Sequence, residues 1–175
     1  TFSAEKNAVF AAGVGGNAKG KLTVENGIFS GKMSSELMNS AYDTTFSGGE
    51  FTDDPAQYVA DGKVAIKFVR ANKDGNYYVG TQEEIQEIAN TAKDGDTIDV
   101  IKGSITLNMT TPGVNVNNDR SNEKGEVIVN GTPLNPGYGM EIQKPATDPT
   151  KPSQDQTKPS DGTKTDSSAN TGDDF

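Results

Sequence analysis

The chain has 175 residues, with 16 Lys and Arg against 25 Asp and Glu, a net charge of −9, and no Cys, His or Trp. Those absences exclude a disulfide framework, a Cys/His zinc site, a thiol nucleophile and a histidine base, and the acidic balance argues against a nucleic-acid partner. No apolar run approaches the roughly 18 residues that a bilayer span needs, and apolar residues make up only 31% of the chain, too few for a chain packed throughout.

The chain opens at Thr1 with neither Met nor a charged-then-apolar leader, so it reads as a fragment or a mature form. Its first organised feature is a repeat. Thr23–Ser30 aligns with Thr45–Thr52 at an offset of 22, which places Gly27 on Gly49, Phe29 on Phe51 and Ser30 on Thr52. The same offset recurs further on, with Gly103 on Gly125, Ile105 on Val127, Leu107 on Val129 and Asn108 on Asn130. A period in the low twenties suits one coil of a parallel β-helix, in which each strand stacks on its counterpart one coil later. The fold class expected is therefore mainly β: a short right-handed parallel β-helix-like solenoid with one capping α-helix. Phe29 then lies over Phe51. The alternative is a β-sandwich or a mixed α+β fold. Asn26-Gly27, Asp61-Gly62, Asp74-Gly75, Asp94-Gly95 and Asn130-Gly131 are all hairpin-type signals that favour it.

Asp54-Pro55 opens a short helical turn toward Val59. Thr81-Gln82-Glu83-Glu84 reads as a capping box, followed at helical spacing by Ile85, Ile88, Ala89 and Ala92 and ended by Asp94-Gly95. Short alternating strands follow around Ile98 and Val100, Ile105 and Leu107, Val114 and Val116, and Val127 and Val129. The polar stretch from Asn115 to Glu126 reads as a solvated insertion.

Residues 1–142 carry 12 basic and 19 acidic side chains and nearly all the core-forming residues. They form one β-rich domain, with a possible sub-boundary near residues 75–80. From Gln143 to Phe175 there is no Val, Leu, Ile, Met or Tyr, and Thr-Lys-Pro-Ser occurs at 150–153 and again at 157–160. Such a segment has too little apolar surface to offset ordering entropy of roughly 1–2 kcal/mol per residue. A disordered, semi-extended spacer is expected there.

Two stretches carry a resemblance. Phe46-Ser47-Gly48-Gly49-Glu50-Phe51-Thr52-Asp53-Asp54-Pro55, continuing through Tyr58-Val59-Ala60-Asp61-Gly62-Lys63, resembles a recurrent motif of Gram-positive gut bacterial surface proteins that contain right-handed parallel β-helix regions. Thr81 to Leu107 looks like the helix-then-coil entry of the same proteins. Val64 departs from the pattern, in which an aromatic residue is common. The tail sequence Ser168-Ala169-Asn170-Thr171-Gly172 is similar to a sortase sorting signal cut between Thr and Gly, although Ser-Ala stands where Leu-Pro is usual. The resemblance implies an extracellular, cell-wall location, covalent attachment to peptidoglycan by sortase, and contact with host glycan or protein.

Chemistry is harder to find. A polysaccharide hydrolase needs two carboxylates about 5–10 Å apart. The candidates are Asp53 with Asp54, and Asp94 with Asp96 and Asp99. Each reads more simply as a cap or turn residue. Arginines are limited to Arg70 and Arg120. No cofactor is expected. Calcium is the ion that the oxygen-rich composition leaves open, but Asp119-Ser121-Glu123 lacks the glycine of an EF-hand loop. A Lys–Asn crosslink from Asn130 to Lys21 or Lys67 lacks an identifiable catalytic acid. Tyr77, Tyr78 and Tyr138 are the aromatic platforms available to a sugar. The expected function is a non-catalytic stalk or adhesin-like segment of a bacterial cell-surface protein. The alternative is the C-terminal part of a polysaccharide-acting β-helix enzyme.

Overall fold

The computed structural model describes residues 2–9, 20–33 and 42–144. In chain order the elements are β1 (Phe2–Val9), β2 (Gly20–Val24), β3 (Ile28–Met33), β4 (Tyr42–Phe46), β5 (Gly49–Phe51), a 3-10 turn (Ala56–Tyr58), β6 (Val64–Val69), β7 (Asn76–Gly80), α1 (Gln82–Ala89), β8 (Thr97–Lys102), β9 (Ile105–Leu107), β10 (Asn115–Asn118), β11 (Val127–Val129), β12 (Thr132–Leu134) and β13 (Tyr138–Glu141). The protein is mainly β. Eight strands form one sheet in the order β1-β3-β5-β7-β6-β8-β10-β13; β12-β11-β9 and β2-β4 form two smaller sheets.

The 22-residue period is a pairing register. Leu22 lies beside Thr44 and Val24 beside Phe46 in the parallel pair β2–β4. Phe29 lies beside Phe51 in β3–β5, and Ile105 and Leu107 lie beside Val127 and Val129 in β9–β11. Parallel neighbours sit about 4.8 Å apart, so equivalent side chains stack. The Phe29 and Phe51 ring centroids are 5.1 Å apart and the rings stack nearly parallel, at 10°. Phe46 stacks on Phe51 at 5.0 Å, and Tyr58 tilts against Phe46 at 5.2 Å.

The fold departs from the expected solenoid in the middle of the chain. Among the described residues no closed solenoid forms, and the large sheet is mixed. Between the parallel runs β1–β3–β5 and β8–β10 lie β7 and β6, which are antiparallel to each other and to their outer neighbours β5 and β8. The reversal is made by the hairpin turn after β6, where Asn72 adopts a left-handed φ of 64°. Asn tolerates that conformation better than most side chains.

The inserted hairpin also decides where the core lies. Neighbouring residues on a strand face opposite sides. Ala65, Val79 and Ile101 pack with Val24, Phe29, Phe46, Phe51 and Tyr58 in one apolar cluster. Val64, Ile66 and Phe68 join Ile98, Val100 and Val116, the helix residues Ile85 and Ala89, and the three-stranded sheet in another. The eight-stranded sheet is thus covered on one face by β2–β4 and on the other by α1 and β9–β11–β12. β6 is covered on both, which explains the uninterrupted apolar run Val64-Ala65-Ile66, all at 1% exposure or less. Val64, the residue that departs from the surface-protein motif, is part of this buried run.

Local signals translate well. Thr81 Oγ1 accepts from the Glu84 N–H at 3.2 Å, and Glu84 Oε2 accepts from the Thr81 N–H at 2.8 Å, the reciprocal capping box. The helix stops at Ala89, short of Asp94-Gly95, but backbone turns carry the chain on so that Ala92 is still buried. Asn130 and Gly131, with φ of 49° and 81°, make the tight hairpin between β11 and β12. Asn26-Gly27 instead forms a corner, since β2 and β3 belong to different sheets.

The stretch from Asn115 is corrected. Asn115–Asn118 is β10, an internal strand of the large sheet. Asn118 and Asn122 are buried, at 0% and 2% exposure. Their amides find partners in distant backbone, which sequence polarity alone does not reveal.

Candidate functional site

A groove of about 420 Å³ runs between the first rungs and the helix. It is bordered by the β2–β3 corner (Glu25, Asn26, Gly27, Ile28), by Gly48, Gly49 and Glu50, by Tyr78, and by Glu84, Glu87, Ile88 and Thr91 of α1 and the turn after it. The two corners are built alike. Gly27 and Gly49 have φ of 133° and 117°, a region that side chains rarely enter, and the Glu50 N–H donates to the Gly27 carbonyl at 2.8 Å. A Cβ at Gly48 would overlap the Glu25 carbonyl oxygen, so only glycine lets the rungs approach here.

The groove is acidic. Glu50 Oε1 accepts from Asn76 Nδ2 at 2.7 Å and from the Tyr78 hydroxyl at 3.3 Å. Burial, then the Glu50 carboxylate, holds the Tyr78 phenol above its ordinary pKa, so it stays a neutral donor. Glu84 caps the helix. The Glu25 and Glu87 side chains have no hydrogen-bond or ion-pair partner among the described residues. Among the described residues no cationic side chain lines the groove. Arg70 stands behind it, donating to Thr91 at 3.1 Å and paired with Asp96 at 3.7 Å. A second concavity of about 490 Å³ lies at the opposite corners. Its charges are Lys63, Lys102 and Lys124 against Asp61 and Glu123, close to balance.

The acids singled out from sequence are spread among structural tasks. Asp53 Oδ2 accepts from the Met33 N–H and Asp54 Oδ1 from the Ala56 N–H, at 2.8 and 2.9 Å. Asp96 is buried and accepts from the Ala71 and Lys93 N–H groups at 3.0 and 2.8 Å. Asp94 fills the space beside Gly113. Asp119 closes its own turn onto Ser121 at 2.9 Å. Among the described residues no three acidic side chains come close enough to hold a metal ion. Asn130 grips the backbone of Met109, with its amide oxygen 2.7 Å from the N–H and its nitrogen 2.8 Å from the carbonyl. That is a non-covalent clamp in the role considered above for a crosslink. Tyr77 lies beneath the Lys67 ammonium at 5.8 Å, and Tyr78 belongs to the groove. Ser168, Ala169, Asn170, Thr171 and Gly172 lie outside the described residues.

Sequence reading missed Glu25, Glu50, Glu84 and Glu87 as a group. The one signal pointing there was the period itself, which sets Ile28 beside Glu50, an apolar side chain next to a charge where the stacked positions match in kind.

Asp99 gives a pH test. It lies on the sheet face beside Lys67 and Asn117, and Asn117 Nδ2 donates to its Oδ1 at 2.7 Å. Its pKa is raised above 3.8, first by burial and further by Asp119, against the lowering effects of Asn117 and Lys67. A carboxyl whose folded pKa exceeds its unfolded value binds more protons in the folded state, so stability falls as pH rises through that window. Asp99→Asn keeps the hydrogen bond and removes the charge. The variant is expected to be more stable than the parent at pH 7, with the difference vanishing below pH 3.8. Paired urea titrations at neutral and acid pH measure it; a less stable variant at pH 7 would contradict the assignment.

Comparison of the chain with family models, with curated proteins and with solved structures finds no match.

Proposed function

We propose that the chain is a non-catalytic presentation module of a bacterial cell surface, in which β-helix-like rungs lead into a Pro-, Lys- and Thr-rich spacer. The observation that carries this reading is the 22-residue register shared by β2–β4, β3–β5 and β9–β11. Repeated rungs bury their faces only against one another, so they lengthen a structure without requiring a reaction centre. The engagement of Asp53, Asp54, Asp96 and Asp99 in hydrogen bonds that hold turns and neighbouring rungs supports a non-catalytic role over a polysaccharide-cleaving one. In this proposal both parallel runs are short β-helical segments joined by the β6–β7 hairpin. The module lies outside the cell, and Thr171 becomes amide-linked to peptidoglycan after sortase cleaves before Gly172.

Mass spectrometry of muramidase-released wall fragments tests the anchoring. The expected product is a peptide ending at Thr171 and joined to the cross-bridge amine. Wall-associated protein that retains Gly172–Phe175 rejects it. Incubation of the full chain with neutral and acidic polysaccharides is expected to release no oligosaccharide; turnover lost on substituting Asp99 or Asp53 would favour the enzyme.

A further inference from the structure

We infer that the groove between the β2–β3 corner and α1 is a docking site for a polypeptide segment that carries Lys or Arg side chains around an apolar residue. This goes beyond the presentation role and does not depend on wall attachment.

Three observations converge on that occupant. The first is charge. Glu25, Glu50, Glu84 and Glu87 border one concavity that no cation among the described residues lines, and Arg70 behind it is already engaged by Asp96 and Thr91. Carboxylates facing a low-dielectric wall concentrate their field and favour a cationic partner. The second is spacing. These acids do not converge as metal ligands do. Separate cationic side chains on one backbone match dispersed carboxylates, whereas a single divalent ion does not. The third is the apolar surface. Ile28 is 45% exposed, the only large apolar side chain so exposed among the described residues, and it borders the groove together with Ile88. A lone exposed isoleucine is unremarkable by itself. Set in a concavity rimmed by acids, with the aliphatic stems of Lys or Arg able to lie along it, it supplies the apolar contact that a polyamine or an amino sugar leaves unused. Tyr78, whose hydroxyl donates to Glu50, also lines the same space.

The test uses the full chain and a fluorescein-labelled peptide of alternating lysine and leucine, followed by anisotropy. Saturable binding is expected, weakening with added salt. The double variant Glu25→Gln/Glu87→Gln removes two exposed carboxylates that have no hydrogen-bond or ion-pair partner among the described residues, so the fold is expected to be retained. It is expected to weaken binding roughly three- to tenfold, and Ile28→Ser is expected to weaken it as well. Glu123→Gln/Glu126→Gln, the same charge change at exposed positions that do not line the groove, is expected to leave affinity unchanged. The inference is overturned by unchanged affinity in the first pair, by equal weakening in the second, or by equal binding of a lysine–glycine peptide. Displacement of the peptide by calcium alone, or tighter binding of a chitosan oligomer, would also overturn it and assign the groove to that ligand.

Discussion

Phe51→Ala is expected to cost about 3–5 kcal/mol of folding stability. Phe51 is 1% exposed and lies between Phe29 and Phe46, stacked on both within about 5 Å. Removing the ring deletes two aromatic contacts, each worth about 0.5–1.5 kcal/mol beyond the area buried, and leaves a cavity between rungs. The walls close poorly, because Phe29 and Phe46 are fixed by the ladders β3–β5 and β2–β4. Small domains hold about 5–15 kcal/mol in total, so a loss of this size removes a large share. Urea titration followed by far-UV circular dichroism measures it. Phe51→Leu, which fills part of the space, is expected to lose less. A loss below about 1 kcal/mol for the alanine variant would mean that the ring stack is not the core of the first rungs. Hydrogen exchange adds a spatial check: amides of β3 and β5 lose protection before those of β8 and β10, whose cluster lies on the other face of the sheet.

Asn122→Ala is expected to cost about 2–4 kcal/mol through stranded polar groups. The Asn122 amide oxygen accepts from the Gly103 N–H at 3.0 Å. Its nitrogen donates to the Gly103 carbonyl at 2.9 Å and to Asn118 Oδ1 at 3.0 Å. Asn118 in turn donates to the Leu134 carbonyl at 2.8 Å. Two side chains thereby tie together the corner after β8, the turn after β10 and the end of β12. Alanine at 122 leaves three of these groups without their partner; of these Asn118 Oδ1 belongs to a fully buried side chain, where an unmade hydrogen bond costs most. A Cβ at Gly125 would collide with the Asn122 amide and the Gly103 carbonyl, so Gly125→Ala is expected to disturb the same knot. Asn122→Asp separates volume from hydrogen bonding. It fills the space but sets a carboxylate against the Gly103 carbonyl and Asn118 Oδ1, and is expected to be destabilising at neutral pH and less so in acid. If Asn122→Ala unfolds at the parent urea midpoint, the buried amide network carries no stability.

Much of the local structure was legible because its causes are local. Capping by Thr81 and Glu84 needs only two residues placed three positions apart at a helix start. The Asn130-Gly131 turn needs only two residues that accept left-handed φ. The stacking of Phe29 on Phe51 followed from a repeat, because equal spacing between equal corners returns each side chain to the same place one rung on. The burial of β6 on both faces was not read from the sequence: the run Val64-Ala65-Ile66 is too short to tell a buried strand from a helical segment or to say which elements cover it.

The sequence alone therefore determined which residues alternate, where the chain turns, the span of the helix start and the 22-residue spacing of the rungs. The tertiary structure decided how those pieces combine. Alternation is the same in parallel and antiparallel strands, so the direction of β6 and β7, and with it the mixed sheet, depends on which distant edges are free to pair. Burial of Asn118 and Asn122 depends on carbonyls that reach them from other turns. The groove is the extreme case. Glu25, Glu50, Glu84 and Glu87 come from two rung corners and a helix, and their shared field exists only because packing brings those three segments to one concavity.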